Sequence, residues 1–164
     1  MYFAYYLFLA VPVVLLAQRR VQRALAASSI VAFTYFTCFA FFVLVPTKGP
    51  RHVDGLDLVP AEYGGSFFGW LVRTLQGAES VVGAALPSSH VAGSVACAVI
   101  AAWWLPALGR VLLPLAAGVA VSTVYLGYHH AVDPLLGIVW GLAGAYLGRA
   151  WLKRRGEWPG GEQL

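Results

Sequence analysis

Charge is what this sequence has least of. Seven of its 164 residues are acidic and eleven are Lys or Arg, so charged side chains make up 11% of the chain, against about 25% in a typical soluble domain. Hydrophobic residues make up 60%, and the mean hydropathy is +0.73. A soluble domain of this length leaves too much surface in water to tolerate that composition. The sequence therefore excludes an ordinary soluble domain and predicts a protein that lies in a lipid bilayer.

Cysteine is also scarce, since the chain contains only Cys38 and Cys97. Both lie inside long apolar runs, so we expect two packing residues and no disulfide. The net charge of +4 comes largely from short basic segments beside apolar runs. That pattern reflects membrane topology and contact with lipid headgroups, and it gives no reason to expect nucleic-acid binding.

Long apolar runs dominate the chain, and each approaches the 17 to 25 residues that a helix needs to cross about 30 Å of hydrocarbon. They cover residues 2–17, 27–46, 89–105, 111–127 and 134–152. Residues 66–86 mix aromatic with charged side chains, which favours a helix lying in the membrane interface, with a re-entrant segment as the alternative. We therefore predict an all-α fold: a polytopic transmembrane helical bundle of about five spans. Residues 1–156 would form a single membrane domain, and residues 157–164 a cytoplasmic tail.

Basic residues give the expected orientation. If the five spans alternate, eight of the eleven Lys and Arg residues fall on one side: Arg19, Arg20, Arg23, Arg110, Arg149, Lys153, Arg154 and Arg155. Short basic loops favour the cytoplasm, so the N-terminus is expected outside and the C-terminus inside. The aromatic start of the chain lacks a basic segment, which does not fit a cleaved signal peptide. Two interpretations of this start remain open. Either the first span has its N-terminus outside, or the chain lacks an upstream helix that relatives possess.

Three short polar islands interrupt the apolar sequence, all on the predicted non-cytoplasmic side. The basic island is residues 48–51 (Lys-Gly-Pro-Arg), the serine island is residues 87–90 (Pro-Ser-Ser-His), and the histidine island is residues 129–133 (His-His-Ala-Val-Asp). Ionisable groups are costly in a bilayer, so their presence there usually indicates function. Imidazoles, a carboxylate, cations and a helix-starting serine pair together suggest chemistry on phosphate.

The serine island is typical of an anion site at a helix N-terminus. Pro87 ends the preceding segment, a serine can cap the next helix, and the first N–H groups of that helix lack intrahelical partners. Those donors and the helix dipole attract an anion, beside which His90 would stand in the first turn. The alternative interpretation is a capping serine followed by an interfacial histidine.

The histidine island places His129 and Asp133 four residues apart, directly before Pro134. Asp133 is expected either to cap the last helix or to accept the ring proton of His129, and both roles are compatible. The second role would fix the tautomer and raise the nucleophilicity of the other ring nitrogen. His130 points away if its neighbour points inward, so we expect an interfacial or supporting role for it.

The basic island offers two cations. Arg51 follows Gly and Pro in a restrained turn, and its guanidinium matches phosphate oxygens bidentately. Lys48 is expected either to bind phosphate as well or to extend toward lipid headgroups.

The order of these islands resembles that of the type 2 phosphatidic acid phosphatase superfamily. The resemblance extends from Val45 to Gly148 and depends on three elements: a basic segment, Pro-Ser-x-His, and Ser-x5-Tyr-His-x3-Asp over residues 122–133. It implies an all-α bundle in which one histidine attacks phosphorus and a second protonates the leaving oxygen.

Carried over residue by residue, the resemblance makes His129 the nucleophile, with a phosphohistidine intermediate, and Asp133 its orienting partner. It makes His90 the general acid. The residues expected to hold phosphoryl oxygens are Arg51, Lys48, Ser88 and Ser89. The resemblance implies no metal and no other cofactor.

Two departures from the family pattern affect the expected reaction. Thr123 stands where the family usually has an arginine, and Lys48 and Arg51 are three residues apart, where the family spaces its pair seven apart. Both resemble the branch that contains inositol phosphorylceramide synthase-like proteins, which includes transferases as well as hydrolases. We therefore expect a metal-independent lipid phosphatase or phosphotransferase.

The composition, the charge pattern and this resemblance together give the expected partners and location. The expected partners are a lipid phosphate substrate and membrane lipids, with no nucleic acid, and the oligomeric state is left open. The expected location is a bacterial inner membrane or a plasma membrane, with the active site on the non-cytoplasmic face.

Two alternatives remain open at this point. The first is a catalytically inactive relative that binds lipid, because Thr123 stands where the family has a phosphate-binding cation. A metal-handling membrane protein is the other alternative, and its ligands would be His90, His129, His130 and Asp133.

Overall fold

Helices make up most of the part of the chain that the computed structural model describes, which is residues 4–53, 66, 67, 69, 70, 74 and 82–160. Within this part, five α-helices have defined bounds: α1 (Ala4–Arg19), α2 (Val21–Leu44), α3 (Ser89–Trp104), α4 (Pro106–Tyr125) and α5 (Val132–Arg154). A short 3₁₀ helix covers Pro50–His52. The predicted all-α class is therefore confirmed.

Three of these helices, α2, α4 and α5, are long and apolar enough to cross a membrane. Helices α1 and α3 are also apolar but have 16 residues each, which is about 24 Å at 1.5 Å per residue. The protein is thus a helical membrane bundle. Two predictions stay untested: that α1 and α3 also span the bilayer, and that residues 1–156 form one domain.

Helix α2 begins at Val21, six residues before the predicted span. The predicted span, 27–46, starts after the basic residues Arg19, Arg20 and Arg23. In the structure the helix continues through Arg23, whose side chain is buried and donates a hydrogen bond to the Gly160 carbonyl at 3.3 Å. A basic side chain near a helix end can be accommodated in this way because its polar head finds a backbone acceptor.

Helix α3 lies at the centre of the bundle. Every residue from Val91 to Ala101 is buried, and the helix packs against each of the other four. Its sequence is rich in Ala, Gly and Ser, which lets neighbouring backbones approach closely in lipid. Cys97 lies in this core, and Cys38 is buried in α2; both are free thiols, which confirms the predicted absence of a disulfide between them.

A glycine stripe runs along α5. Its members are Gly137, Gly141, Gly144 and Gly148. The first two face the start of α3 and the last two face α2. A Cβ atom on Gly137 would lie 2.7 Å from the Ser88 carbonyl oxygen, and one on Gly141 would overlap the Ala92 carbonyl. The stripe is therefore a packing surface that brings α5 against two neighbours.

The basic residues predicted to be cytoplasmic lie at the end of the bundle where α1 ends and α2 begins. There Trp158 stacks on Trp104 with ring centroids 4.7 Å apart, and the Arg149 guanidinium lies 4.8 Å from the Trp103 ring centroid. Residues 157–160, predicted as part of a tail, thus fold back on the bundle. Residues 161–164 and most of the predicted interfacial segment 66–86 lie outside the described residues.

We expect Gly141→Leu to lower the free energy of unfolding by about 1–3 kcal/mol, because the new side chain meets the α3 backbone. Ala143→Leu is the matched control, since position 143 of the same helix is exposed. Thermal unfolding of both variants in detergent measures the difference. Equal melting temperatures for the two variants would contradict the packing described for the stripe.

Candidate active site

The basic and serine islands are joined by backbone hydrogen bonds at one end of the bundle. The Thr47 N–H donates to the Gly83 carbonyl and the Ala85 N–H donates to the Thr47 carbonyl, each at 3.1 Å. The Thr47 hydroxyl oxygen also accepts the Leu86 N–H at 2.9 Å. This short parallel bridge holds the segment after α2 beside the segment before α3.

The histidine island is joined to both of the others. The Arg51 N–H donates to the Gly127 carbonyl at 3.2 Å, and the Ser88 N–H donates to the Asp133 carbonyl at 3.1 Å. Gly49 packs so closely on the Tyr128 carbonyl that a Cβ atom there would overlap the oxygen. All three islands therefore converge at the end of the bundle opposite the basic residues that are predicted to be cytoplasmic.

A cavity of about 270 Å³ lies at this convergence. Its lining includes four of the predicted site residues: Arg51, Ser89, His90 and His129. The other polar residues in its wall are His52 and Tyr128, and Phe39 and Phe42 of α2 form an apolar side. The cavity thus combines cationic, imidazole and aromatic walls.

The two predicted catalytic histidines face each other across a short gap. The ring centroids of His90 and His129 are 6.3 Å apart, although the residues are 39 positions apart in the chain. The His129 side chain is buried, and its backbone N–H donates to the Thr123 carbonyl at 3.2 Å. Two imidazoles at this separation can both contact one phosphate group bound in the cavity.

Asp133 lies beside His129, and its role as an orienting partner stays a prediction. Its Oδ2 is 3.4 Å from Nδ1 of His129 and accepts the His130 N–H at 2.8 Å. The carboxylate is 3% exposed, so water competes little for it. Helix α5 begins at Val132, with Ala131 as the N-cap; Asp133 therefore occupies the first turn and is not the N-cap considered from the sequence. His130 itself is exposed.

Two predicted phosphate ligands lie away from the cavity wall. Ser88 is the N-cap residue of α3, but its hydroxyl makes no capping hydrogen bond and is fully buried. No hydrogen-bond partner for the Ser88 Oγ lies within the described residues. Lys48 is exposed and is not among the residues that line the cavity. Their roles as phosphate ligands stay predictions.

Arg51 is held by two neighbours that sequence reasoning did not assign to the site. Its guanidinium carbon lies 4.7 Å from the Tyr128 ring centroid, and its Nε–H donates to Nε2 of His52 at 3.2 Å. Burial, together with the positive charges of Arg51 and Lys48, lowers the pKa of His52 below its ordinary value. A neutral imidazole is the form that accepts this hydrogen bond. In the sequence, only its position next to Arg51 could have indicated that His52 belongs to the site.

Thr123, which replaces the family's usual arginine, points away from the cavity. Its hydroxyl donates to the Ala120 carbonyl at 2.8 Å. Its own carbonyl accepts the N–H groups of Tyr128 at 3.0 Å and His129 at 3.2 Å. Thr123 therefore fixes the backbone that carries His129.

The donor set required by a metal-handling protein does not assemble in the described part of the chain. There, no group of three or more His, Cys, Asp and Glu side chains is placed to hold a metal ion. His130 is exposed, and His90, His129 and Asp133 do not form such a group by themselves.

Comparisons with known proteins give the family relation of the chain. A PA-phosphatase related-family protein of Dictyostelium discoideum is 34% identical over 103 residues, which is 61% of this chain and 19% of that relative. The chain thus spans about a fifth of the relative's length, and no solved structure matches significantly. The sequence model of the PAP2 superfamily matches residues 52–157. This match does not test the relation to the inositol phosphorylceramide synthase-like branch, which stays a prediction. Because that match covers more than half of the chain, the protein belongs to the PAP2 superfamily.

Proposed function

We propose that the protein is an integral membrane phosphatase or phosphotransferase that cleaves a lipid phosphate ester through a phosphohistidine intermediate. The observation that carries this proposal is the convergence of His90 and His129 on one cavity beside Arg51. Membership of the PAP2 superfamily supports phosphatase-type chemistry, and the apolar helices support a substrate that resides in the bilayer.

The first chemical step is attack by His129. Asp133 faces Nδ1 of this residue, so Nδ1 carries the ring proton and Nε2 carries the lone pair. As the Nε2–P bond forms, the bond from phosphorus to the ester oxygen breaks. The imidazolium form of His90 donates its proton to that oxygen.

The second step restores the enzyme. Water or an alcohol attacks the phosphohistidine, the N–P bond breaks, and His90 takes the proton released by the attacking oxygen. Water gives inorganic phosphate, whereas an alcohol gives a new phosphate ester. The same residues serve both outcomes, and the acceptor that enters the cavity decides the reaction class.

Charge that develops on the phosphoryl oxygens needs fixed positive partners. Arg51 supplies a guanidinium in the cavity wall. The first turn of α3, which includes Ser89 and His90, supplies backbone N–H groups without intrahelical acceptors and the positive end of a helix dipole. We propose that these groups bind the phosphoryl group without a metal.

The lipid part of the substrate is expected to lie against the apolar side of the cavity. Phe39 and Phe42 line it, and Phe39 is 49% exposed on the outer surface of α2. The basic end of the bundle lies opposite, and short basic segments favour the cytoplasm. That arrangement supports an active site at the non-cytoplasmic face.

Purified protein in detergent is expected to release or transfer phosphate when incubated with a panel of labelled lipid phosphates and pyrophosphates, with and without alcohol acceptors. We expect His129→Ala to lower turnover by about 1,000-fold or more, since the nucleophile is lost. His130→Ala, a matched change at the exposed neighbour, should retain turnover.

Two outcomes of this assay would contradict the proposal. One is full activity of His129→Ala. The other is binding of lipid phosphates by the wild-type protein with no turnover of any substrate, which is the result expected of a catalytically inactive relative.

Vanadate is expected to inhibit turnover competitively, because it adopts the trigonal-bipyramidal geometry of phosphoryl transfer. Chelators should leave activity unchanged if Arg51 and the α3 N-terminus bind the phosphate. Initial rates with vanadate, with EDTA and with neither compound test both points. Loss of activity in EDTA that added divalent cations restore would refute metal independence.

Gly49→Ala is expected to lower kcat/KM by about tenfold or more, because the new methyl group meets the Tyr128 carbonyl and displaces Arg51. Gly160→Ala is the control, since no atom lies within 4 Å of a Cβ atom placed there. Steady-state kinetics with a lipid phosphate, with thermal unfolding measured in parallel, distinguish a displaced site from a misfolded one. Unchanged kinetics for Gly49→Ala would contradict the role of this contact.

A further inference from the structure

Tyr5, in the first turn of α1, contacts a proposed catalytic residue from outside the family match. Its ring centroid is 4.7 Å from that of His90, with an angle of 57° between the ring planes. Tyr5 is 9% exposed, although it lies near the end of an apolar helix. Residue 5 precedes the matched region, 52–157, and belongs to none of the three islands.

A second tyrosine holds Tyr5 in place. The hydroxyl groups of Tyr5 and Tyr35 form a hydrogen bond between α1 and α2. The Tyr35 hydroxyl in turn lies against Gly93 of α3, where any Cβ atom would overlap it. Gly93 is three residues after His90 on the same helix. The tyrosine pair therefore links three helices directly behind the His90 ring.

This arrangement restricts the orientation of His90. A general acid needs its donor nitrogen directed at the leaving oxygen, and small displacements of a catalytic group are costly. Side chains that act in catalysis are held by neighbours whose own positions are fixed. The Tyr5 ring forms one wall against the imidazole, and the hydroxyl pair sets the angle of that ring.

We propose that Tyr5, fixed by Tyr35, is a positioning residue for His90 and holds the imidazole in the orientation that protonates the leaving oxygen. The inference depends on the proposed function, because it takes His90 as the general acid. Space filling alone would make Tyr5 equally important for every substrate. If Tyr5 positions a general acid, Tyr5 is important only for substrates whose leaving group needs a proton.

The test compares two substrates on the same enzyme preparation. A lipid phosphate expels an alkoxide, which needs protonation, whereas p-nitrophenyl phosphate expels a stable phenolate, which needs little. We expect Tyr5→Leu to lower kcat for the lipid phosphate by about 10- to 100-fold. For p-nitrophenyl phosphate, kcat should fall by less than about threefold, and KM for both substrates should change little. The ratio of the two rates is independent of the fraction of protein that folds.

Three further variants complete the experiment. Tyr5→Phe keeps the ring but loses the hydrogen bond to Tyr35, so we expect a selective loss that is smaller than in Tyr5→Leu. Gly93→Ala displaces the Tyr35 hydroxyl and should reproduce the selective loss. Tyr146→Leu makes the same chemical change at an exposed position of α5 and should leave both rates unchanged.

His90→Ala separates failure of this inference from failure of the proposed function. If His90→Ala retains full turnover of the lipid phosphate, the proposed function is wrong. If His90→Ala shows the selective loss but Tyr5→Leu behaves as wild type, or loses both activities equally, only the positioning role is wrong. Selective loss in both variants supports the inference.

Discussion

The pairing of backbone groups between helix ends is the constraint on which the site depends. A bilayer offers little water to buried N–H and C=O groups, so the irregular segments between helices must bond to one another. The Arg51 N–H reaches the Gly127 carbonyl, and the Ser88 N–H reaches the Asp133 carbonyl. These bonds satisfy the backbone and, at the same time, place side chains from three distant parts of the sequence around one cavity.

Close packing of α3 against α5 brings the backbone groups near enough to form those hydrogen bonds. Gly137 meets the Ser88 carbonyl region at the level of the site, and Gly141 meets α3 one turn further along. Larger residues at these positions would separate the two helix N-termini that carry His90 and Asp133. The geometry of the site therefore depends on small residues that do not line the cavity, as is common where membrane helices pack through backbone contact.

The two ends of the bundle differ in character. One end gathers imidazoles, a guanidinium and helix N-termini around a cavity. The other gathers Arg23, Arg149 and the tryptophans that stack with Trp158. Arginine thus has different neighbours at the two ends: Arg51 lies in the cavity wall at one, whereas Arg23 and Arg149 contact a backbone carbonyl and aromatic rings at the other.

Composition and the spacing of the islands determined the helical membrane class, the approximate helices and the relation to the PAP2 superfamily, because these depend on local pattern. The spacing of His129 and Asp133 likewise predicted their proximity, and the non-helical segment that leads into α5 at Val132 brings the two side chains together. Other features followed only from the tertiary structure: the exposed position of Lys48, the hydrogen bond from the Thr123 hydroxyl to the Ala120 carbonyl, and the contacts of His52 and Tyr5. Each depends on which segments meet in space, and the order of residues along a chain does not specify contacts between helices.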